Sequence, residues 1–214
     1  GTGALAAHWP EQAEAAIISL PLPTPLVQAL AARVEASGST LKTLLTMAHA
    51  WMLRSLFASE TVLTVLTDNG RPEVLGAQNI VGLFVNVLPL SFPMGGRSWH
   101  QLASAISADE IARKPHRRYP FAHIVRNSRQ VQADTMFTYN NFHVTDVVQQ
   151  AGWLSVTPGN SYEETNFKLA ALVNGNLKAG LTLTLEVRIA LSAQQIATLQ
   201  NEFQFALHAM AHDW

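Results

Sequence analysis

The chain has 214 residues, 48% of them apolar and 14% charged, which is enough to bury one substantial core and too apolar for a disordered chain. Its formal net charge of -1 offers no attraction for nucleic acid, and the absence of cysteine excludes disulfides, thiolate nucleophiles and sulfur-ligated metals. No apolar run approaches the about 20 residues of a membrane-spanning helix; no signal peptide is visible over Gly1–Pro10, and a cytosolic compartment fits.

Ala15–Leu22 reads as a short strand closing on Pro21 and Pro23. Thr24 and Pro25 resemble an N-cap followed by proline at the first helical position, and Leu26, Leu30, Ala31 and Val34 recur at helical spacing until Gly38. Ser39 or Thr40 caps a second helix whose Leu41, Leu44, Leu45, Ala48, Met52 and Leu56 make a broad apolar face, with His49 as a packed histidine. Thr61–Leu66 is a strand by its β-branched content. Residues 67–73, Thr-Asp-Asn-Gly-Arg-Pro-Glu, carry an Asn-Gly turn signal, and Pro72 stops any continuing helix.

Ile80–Leu90 (I-V-G-L-F-V-N-V-L-P-L) holds one polar residue, Asn86, in an otherwise apolar run. Its β-branched and aromatic content predicts a central strand buried on both faces. Asn86 should then tie the strand to a neighbouring loop, because a buried amide needs partners. Gly82 predicts a bulge or a close backbone approach, and Pro89 predicts the end of the strand or the loss of a neighbour.

Arg97–Arg113 reads as a helix with Trp99, Leu102, Ala103 and Ile106 on one face, and a short helix is expected near Phe121–Asn127. Thr135–Phe142 alternates as a strand, and 147–160 reads as a loop. Asn166–Val173 and Leu177–Ile189 are two strands joined by Asn174-Gly175-Asn176. In the second, Leu181, Leu183, Leu185 and Val187 are expected inside, with Thr182, Thr184, Glu186 and Arg188 on a polar face. Ser192 caps a final helix with Ile196, Leu199, Phe203, Leu207 and Met210 on its inner face. The sequence has no nucleophile elbow, P-loop or dinucleotide fingerprint. His208 and His212 have metal-ligand spacing without an identifiable third ligand, so a solvated helix end is expected and no metal.

Three segments resemble, in order, the signatures of condensation domains of nonribosomal peptide synthetases. The turn Gly70-Arg71-Pro72 comes first. Gly82, Phe84, Val85, Asn86 and Pro89 then match G-x-F-V-N-T-x-P-x-R, with Val87 and Ser91 departing from it. His116, Tyr119, Pro120 and Phe121 match His-Gln-Asp-Tyr-Pro-Phe-Glu, where Arg117, Arg118 and Ala122 depart. Thr135–Phe142, continued by His143-Val144, is similar to a fourth family strand.

The resemblance implies an α/β (α+β) fold, a mixed β-sheet flanked by helices, forming one lobe of a chloramphenicol acetyltransferase-like fold as a single domain over 1–214. The family's His-His-x-x-x-Asp-Gly motif belongs to its N-terminal half, and this chain has no adjacent histidines. The chain is therefore expected to be the C-terminal lobe, with the N-terminal lobe absent and no catalytic residue of its own. The complete domain would join two carrier-protein-bound thioesters as an amide. Its implied partners are the other lobe and the donor and acceptor carrier proteins, whose phosphopantetheine arms carry the substrates; no cofactor binds directly, and no nucleic acid or membrane is involved. Asn69, Asn86, Tyr139, Asn141 and His143 are the expected tunnel-wall residues. The open alternatives are a lobe of an epimerisation or heterocyclisation domain and a non-catalytic carrier-binding module. The low charged fraction is consistent with a normally covered face and with self-association of the lobe.

Overall fold

The computed structural model describes residues 11–128, 133–141 and 165–214. Among these residues six strands and five α-helices run β1 (Glu11–Pro21), α1 (Thr24–Ser37), α2 (Leu41–Phe57), β2 (Thr61–Asn69), β3 (Val85–Pro93), α3 (Trp99–Arg113), α4 (Phe121–Asn127), β4 (Thr135–Asn140), β5 (Leu169–Asn176), β6 (Gly180–Ile189) and α5 (Ala193–His212). The strands form one mixed sheet in the order β1-β6-β5-β4-β2-β3. β4 lies parallel to β2 and β5, and the remaining pairs are antiparallel.

Local chemistry sets the helix ends. Thr40 accepts the Thr43 backbone N–H, while Ser98 with Gln101 and Ser192 with Gln195 form full capping boxes. α1 starts differently from expectation: Pro23 occupies the cap position without a side-chain bond, and Thr24 is the first helical residue. Gly38, at φ 67°, ends α1 in the left-handed region.

α1, α2, α3 and α5 cover one face of the sheet and enclose the main core, in which Leu30, Leu44, Leu45, Phe137 and Phe203 are fully buried. At about 2 kcal/mol for each such side chain, this layer carries most of the apolar stabilisation. The opposite face carries a small second cluster of Val65, Met136, Ala170 and Leu172, covered by Phe121, Ala133 and Phe167.

His49 is packed as expected. Its Nε2 lies 3.0 Å from Thr64 Oγ1, and its ring stacks on Phe137. Thr64 Oγ1 donates to the Thr135 carbonyl, so it accepts from His49 and fixes the proton on Nε2. Nδ1 is buried without a partner among the described residues, and burial pushes the His49 pKa down to about 3.

Four expectations are corrected. The apolar run 80–90 is not central: among the described residues β3 pairs only with β2 and forms the edge of the sheet, with Val81 99% and Leu83 91% exposed just before it. An edge strand tolerates Pro89, since only one of its sides needs ladder donors. Gly82 sits at a bend outside the strand, where a Cβ would come within 3.3 Å of the Phe84 ring. The β5–β6 turn falls later than Asn174-Gly175-Asn176. Asn176 pairs with Gly180, and its Oδ1 accepts from Lys178 and Ala179 N–H across a three-residue loop. Gly175, at φ 110°, stays in the strand, and a Cβ there would lie 2.1 Å from the Gly180 carbonyl. Finally, Glu186 is 3% exposed despite its place on the polar side of β6, because its carboxylate accepts from Thr165 and Arg188.

Candidate functional site

The signature segments, distant in sequence, converge at the β3 edge. Asn86 Nδ2 donates to the Arg117 carbonyl at 3.0 Å and to the Tyr119 carbonyl at 2.8 Å. Both hydrogens of one amide are used, so an acceptor-only carboxylate could not replace it. The loop that the sequence expects Asn86 to hold is thus 116–121.

The turn after β2 is held by the same loop. The Gly70 N–H donates to the Phe84 carbonyl at 2.7 Å, and a Cβ on Gly70 would stand 3.1 Å from that oxygen. The Arg71 guanidinium lies over the Phe84 ring at 4.3 Å and donates to the Ala77 and Ile80 carbonyls at 2.8 and 2.6 Å. Pro72 follows in the turn. Arg118 Nε donates to the Gly70 carbonyl, and Arg117 donates to the Arg71 carbonyl and to Glu73 Oε1 at 2.7 Å. Lys114 Nζ reaches the same carboxylate at 3.1 Å. Hydrogen bonds from Arg117 and then Lys114 hold the Glu73 carboxyl below the usual carboxylate range.

The two arginines that depart from the family signature are therefore the residues that clamp the Gly-Arg-Pro turn. Sequence reading missed this. The signal was present in the basic residues Lys114, Arg117 and Arg118 after the helix, but a separation of more than forty positions from Glu73 hides the pairing of Lys114 and Arg117 with it.

His116 and Pro120 are exposed, and the Tyr119 ring, 45% exposed, makes an edge contact with His123. Phe121 turns inward and packs on Phe167. Val85 pairs with Asn69 and is 61% exposed, and Val74, Leu75, Ile80, Val81 and Leu83 between β2 and β3 are exposed as well.

Of the expected wall residues, Asn69 ends β2, with its Oδ1 accepting the Arg71 N–H. β2 and β4 run parallel, paired at Leu66–Phe137, and Asn69 and Tyr139 follow toward their C-terminal ends with Asn141 just beyond, so the three share one end of the sheet. They do not share a face. Tyr139 packs toward the helix-side core, where burial raises its pKa, while Asn69 lies on the opposite face and Asn141 is exposed beyond β4. His143 lies outside the described residues. Among the described residues no group of three or more His, Cys, Asp or Glu could hold a metal, His208 and His212 are exposed, and no helix is long and apolar enough to cross a membrane.

The mixed sheet flanked by helices matches the fold of solved condensation and epimerization domains. The first condensation domain of the CDA synthetase matches with a TM-score of 0.71 at 18% identity, covering 94% of this chain and 46% of that one. The epimerization domain from the third module of tyrocidine synthetase B matches with a TM-score of 0.71 at 16% identity, covering 94% and 48%. In sequence, the condensation domain family model matches residues 7–213, and the chain belongs to that family. AMB antimetabolite synthetase AmbE of Pseudomonas aeruginosa is 35% identical over 133 residues, 61% of this chain and 6% of that protein. Gramicidin S synthase 2 of Brevibacillus brevis is 28% identical over 113 residues, 49% of this chain and 2% of that protein. The chain thus spans about half the length of these solved domains and a small part of the curated relatives.

Proposed function

We propose that this chain acts as the C-terminal lobe of a nonribosomal peptide synthetase condensation domain in the cytoplasm. In this reading the assembled domain forms an amide between two thioester substrates held on the phosphopantetheine arms of carrier proteins. The amine of one attacks the thioester carbonyl of the other, a tetrahedral oxyanion forms, and a thiol leaves. Such a step depends more on placing the reactants and on polar groups near the oxyanion than on strong acid–base groups. The lobe supplies a tunnel wall and carrier-protein contacts, and the His-His-x-x-x-Asp-Gly chemistry comes from the other half.

The observation that carries this reading is the convergence of the three family signatures, through Asn86 on the 116–121 loop and through Arg117 and Arg118 on the 70–73 turn. Under it, Asn86 builds the wall and does not touch substrate through its NH2, since both of those hydrogens go to backbone carbonyls, and Arg71 props the same wall through its Nη1 bonds to Ala77 and Ile80. The test is a two-lobe condensation domain whose second lobe is replaced by this chain, mixed with aminoacyl-loaded donor and acceptor carrier proteins. Amide product by mass spectrometry is expected. A folded chimera without product above background would overturn the reading.

A further inference from the structure

A cavity of about 400 Å³ opens at the end of the β2–β3 pair opposite to the Gly70 turn, in the volume range of small-molecule sites. The C-terminal turn of α2, the turn Ala58–Glu60 and Glu202 of α5 line it. Ala58 closes α2 in the left-handed region at φ 47°, and the Glu60 carbonyl accepts the Met94 N–H at 2.8 Å, so helix and strands both fix the turn.

The polar side chains around the opening are held in place. Trp51 Nε1 donates to Glu202 Oε2 at 2.8 Å, and its ring packs on Trp99 and Phe205 with centroids 5.1 and 6.0 Å away. The Arg54 guanidinium lies 5.1 Å over the Trp51 ring, and its Nη2 donates to Glu60 Oε1 at 2.8 Å. The other oxygen of Glu60 lies against Gly95, where a Cβ would come within 2.0 Å of it.

The charges in this cavity do not balance. Arg54 answers Glu60, but half-buried Glu202 has no cation beside it among the described residues, and the Trp51 bond leaves its Oε1 open. The last carbonyls of α2 add the negative pole of the helix. An anion would have to compete with Glu60 for Arg54, whose Nε is buried away from the opening. A neutral molecule leaves the Glu202 charge unanswered. A primary ammonium brings one positive charge and three donors to this acceptor-rich wall, and its alkyl stem can lie along Trp51 and Ala58.

We propose that this cavity is a binding site for a primary alkylammonium group, with Glu202 as its counter-ion. A free amine and the lysine side chain of a polypeptide share that chemistry. The site stands apart from the signature loop and from the condensation reading.

The 214-residue chain serves for the test, at neutral pH, with the indole N–H signal of Trp51 followed by nitrogen–proton NMR. Trp51→Phe identifies that signal among the five tryptophans. n-Pentylamine and N-acetyl-lysine N-methylamide are the two ammonium sources; n-pentanol and acetate are the neutral and anionic controls. The ammonium compounds should move the signal saturably and the controls should not. A response to the free amine alone or to the lysine amide alone would identify the source the cavity takes. Glu202→Gln keeps an acceptor for Trp51 and should weaken binding about fivefold, as should raising the salt from about 20 to about 200 mM. Glu110→Gln, at the opposite end of α2, should leave binding unchanged, and thermal melts check that each variant is folded. No saturable shift with either ammonium compound, an equal response to pentanol or acetate, or unchanged affinity in folded Glu202→Gln would overturn the proposal. The ligand and salt comparisons use the unaltered chain, so they decide the matter even where a variant does not fold.

Discussion

Removing the Asn86 amide isolates the contact on which the site geometry rests. Asn86→Leu keeps the approximate volume on β3 and deletes two hydrogen bonds, leaving the Arg117 and Tyr119 carbonyls without their donor. A neutral hydrogen bond is worth about 0.5–1.5 kcal/mol net, and a stranded buried group costs about 1–3 kcal/mol. The bond to Arg117 is partly buried and the one to Tyr119 is exposed, so water recovers much of the second. The expected loss is about 1–3 kcal/mol, or roughly 2–12 °C in melting temperature for a domain of this size. Urea unfolding followed by tryptophan fluorescence reads it as a lower midpoint at constant slope. Asn86→Asp sharpens the test, because a carboxylate would aim two acceptors at two carbonyls. That variant should be the less stable of the two at neutral pH and should recover partly below about pH 4, where a protonated carboxyl donates again. A loss below about 0.5 kcal/mol for Asn86→Leu, or Asn86→Asp as stable as the parent, would refute the tie.

Other outcomes follow from the same structure. Glu73 has a carboxyl pKa depressed by Arg117 and Lys114, so its stabilisation is present above the ordinary carboxyl pKa and is lost as pH falls through the depressed value. Glu73→Gln should therefore lower the melting temperature at pH 7 and have no effect at acid pH, and an equal effect at both would count against the clamp. His49, neutral in the fold with a pKa of about 3 against 6.5 when unfolded, makes the unfolded chain bind more protons between those values. Stability should fall with decreasing pH by up to about 1.4 kcal/mol per unit across that window, and His49→Leu should flatten the slope; an unchanged slope would contradict the buried neutral imidazole. The exposed apolar side chains of Val81, Leu83 and Val85 should make the isolated chain self-associate, because covering apolar surface contributes about 25 cal/mol per Å². Sedimentation across concentrations should show weaker association for Leu83→Lys; a monomer at every concentration would reject the patch.

The helices were legible in the sequence because their signals are local: apolar spacing marked each one, and Thr40 and Ser192, readable as caps, each bond a backbone N–H three positions on. What depended on neighbours was not. The 80–90 run has the composition of a central strand, yet composition does not distinguish a strand covered within its own fold from an edge, and β3 is an edge. Asn-Gly at 174–175 signals a turn, but glycine also permits the φ of 110° that keeps β5 paired, and the Asn176 side chain closes the real loop. Alternation along β4 fixes that Tyr139 and Asn140 point oppositely without saying which faces the helices. The tie from Asn86 was legible because a lone amide in an apolar run needs a partner. The arginine clamp was not, because Arg117 and Arg118 stand where the family pattern has other residues.

The most direct measurement mixes the 214-residue chain by itself with aminoacyl-loaded donor and acceptor carrier proteins and follows condensed product by mass spectrometry. The account predicts product at the uncatalysed background, since the residues of this lobe position and clamp and the His-His-x-x-x-Asp-Gly motif is not among these 214 residues. Product above that background from the chain alone would contradict it.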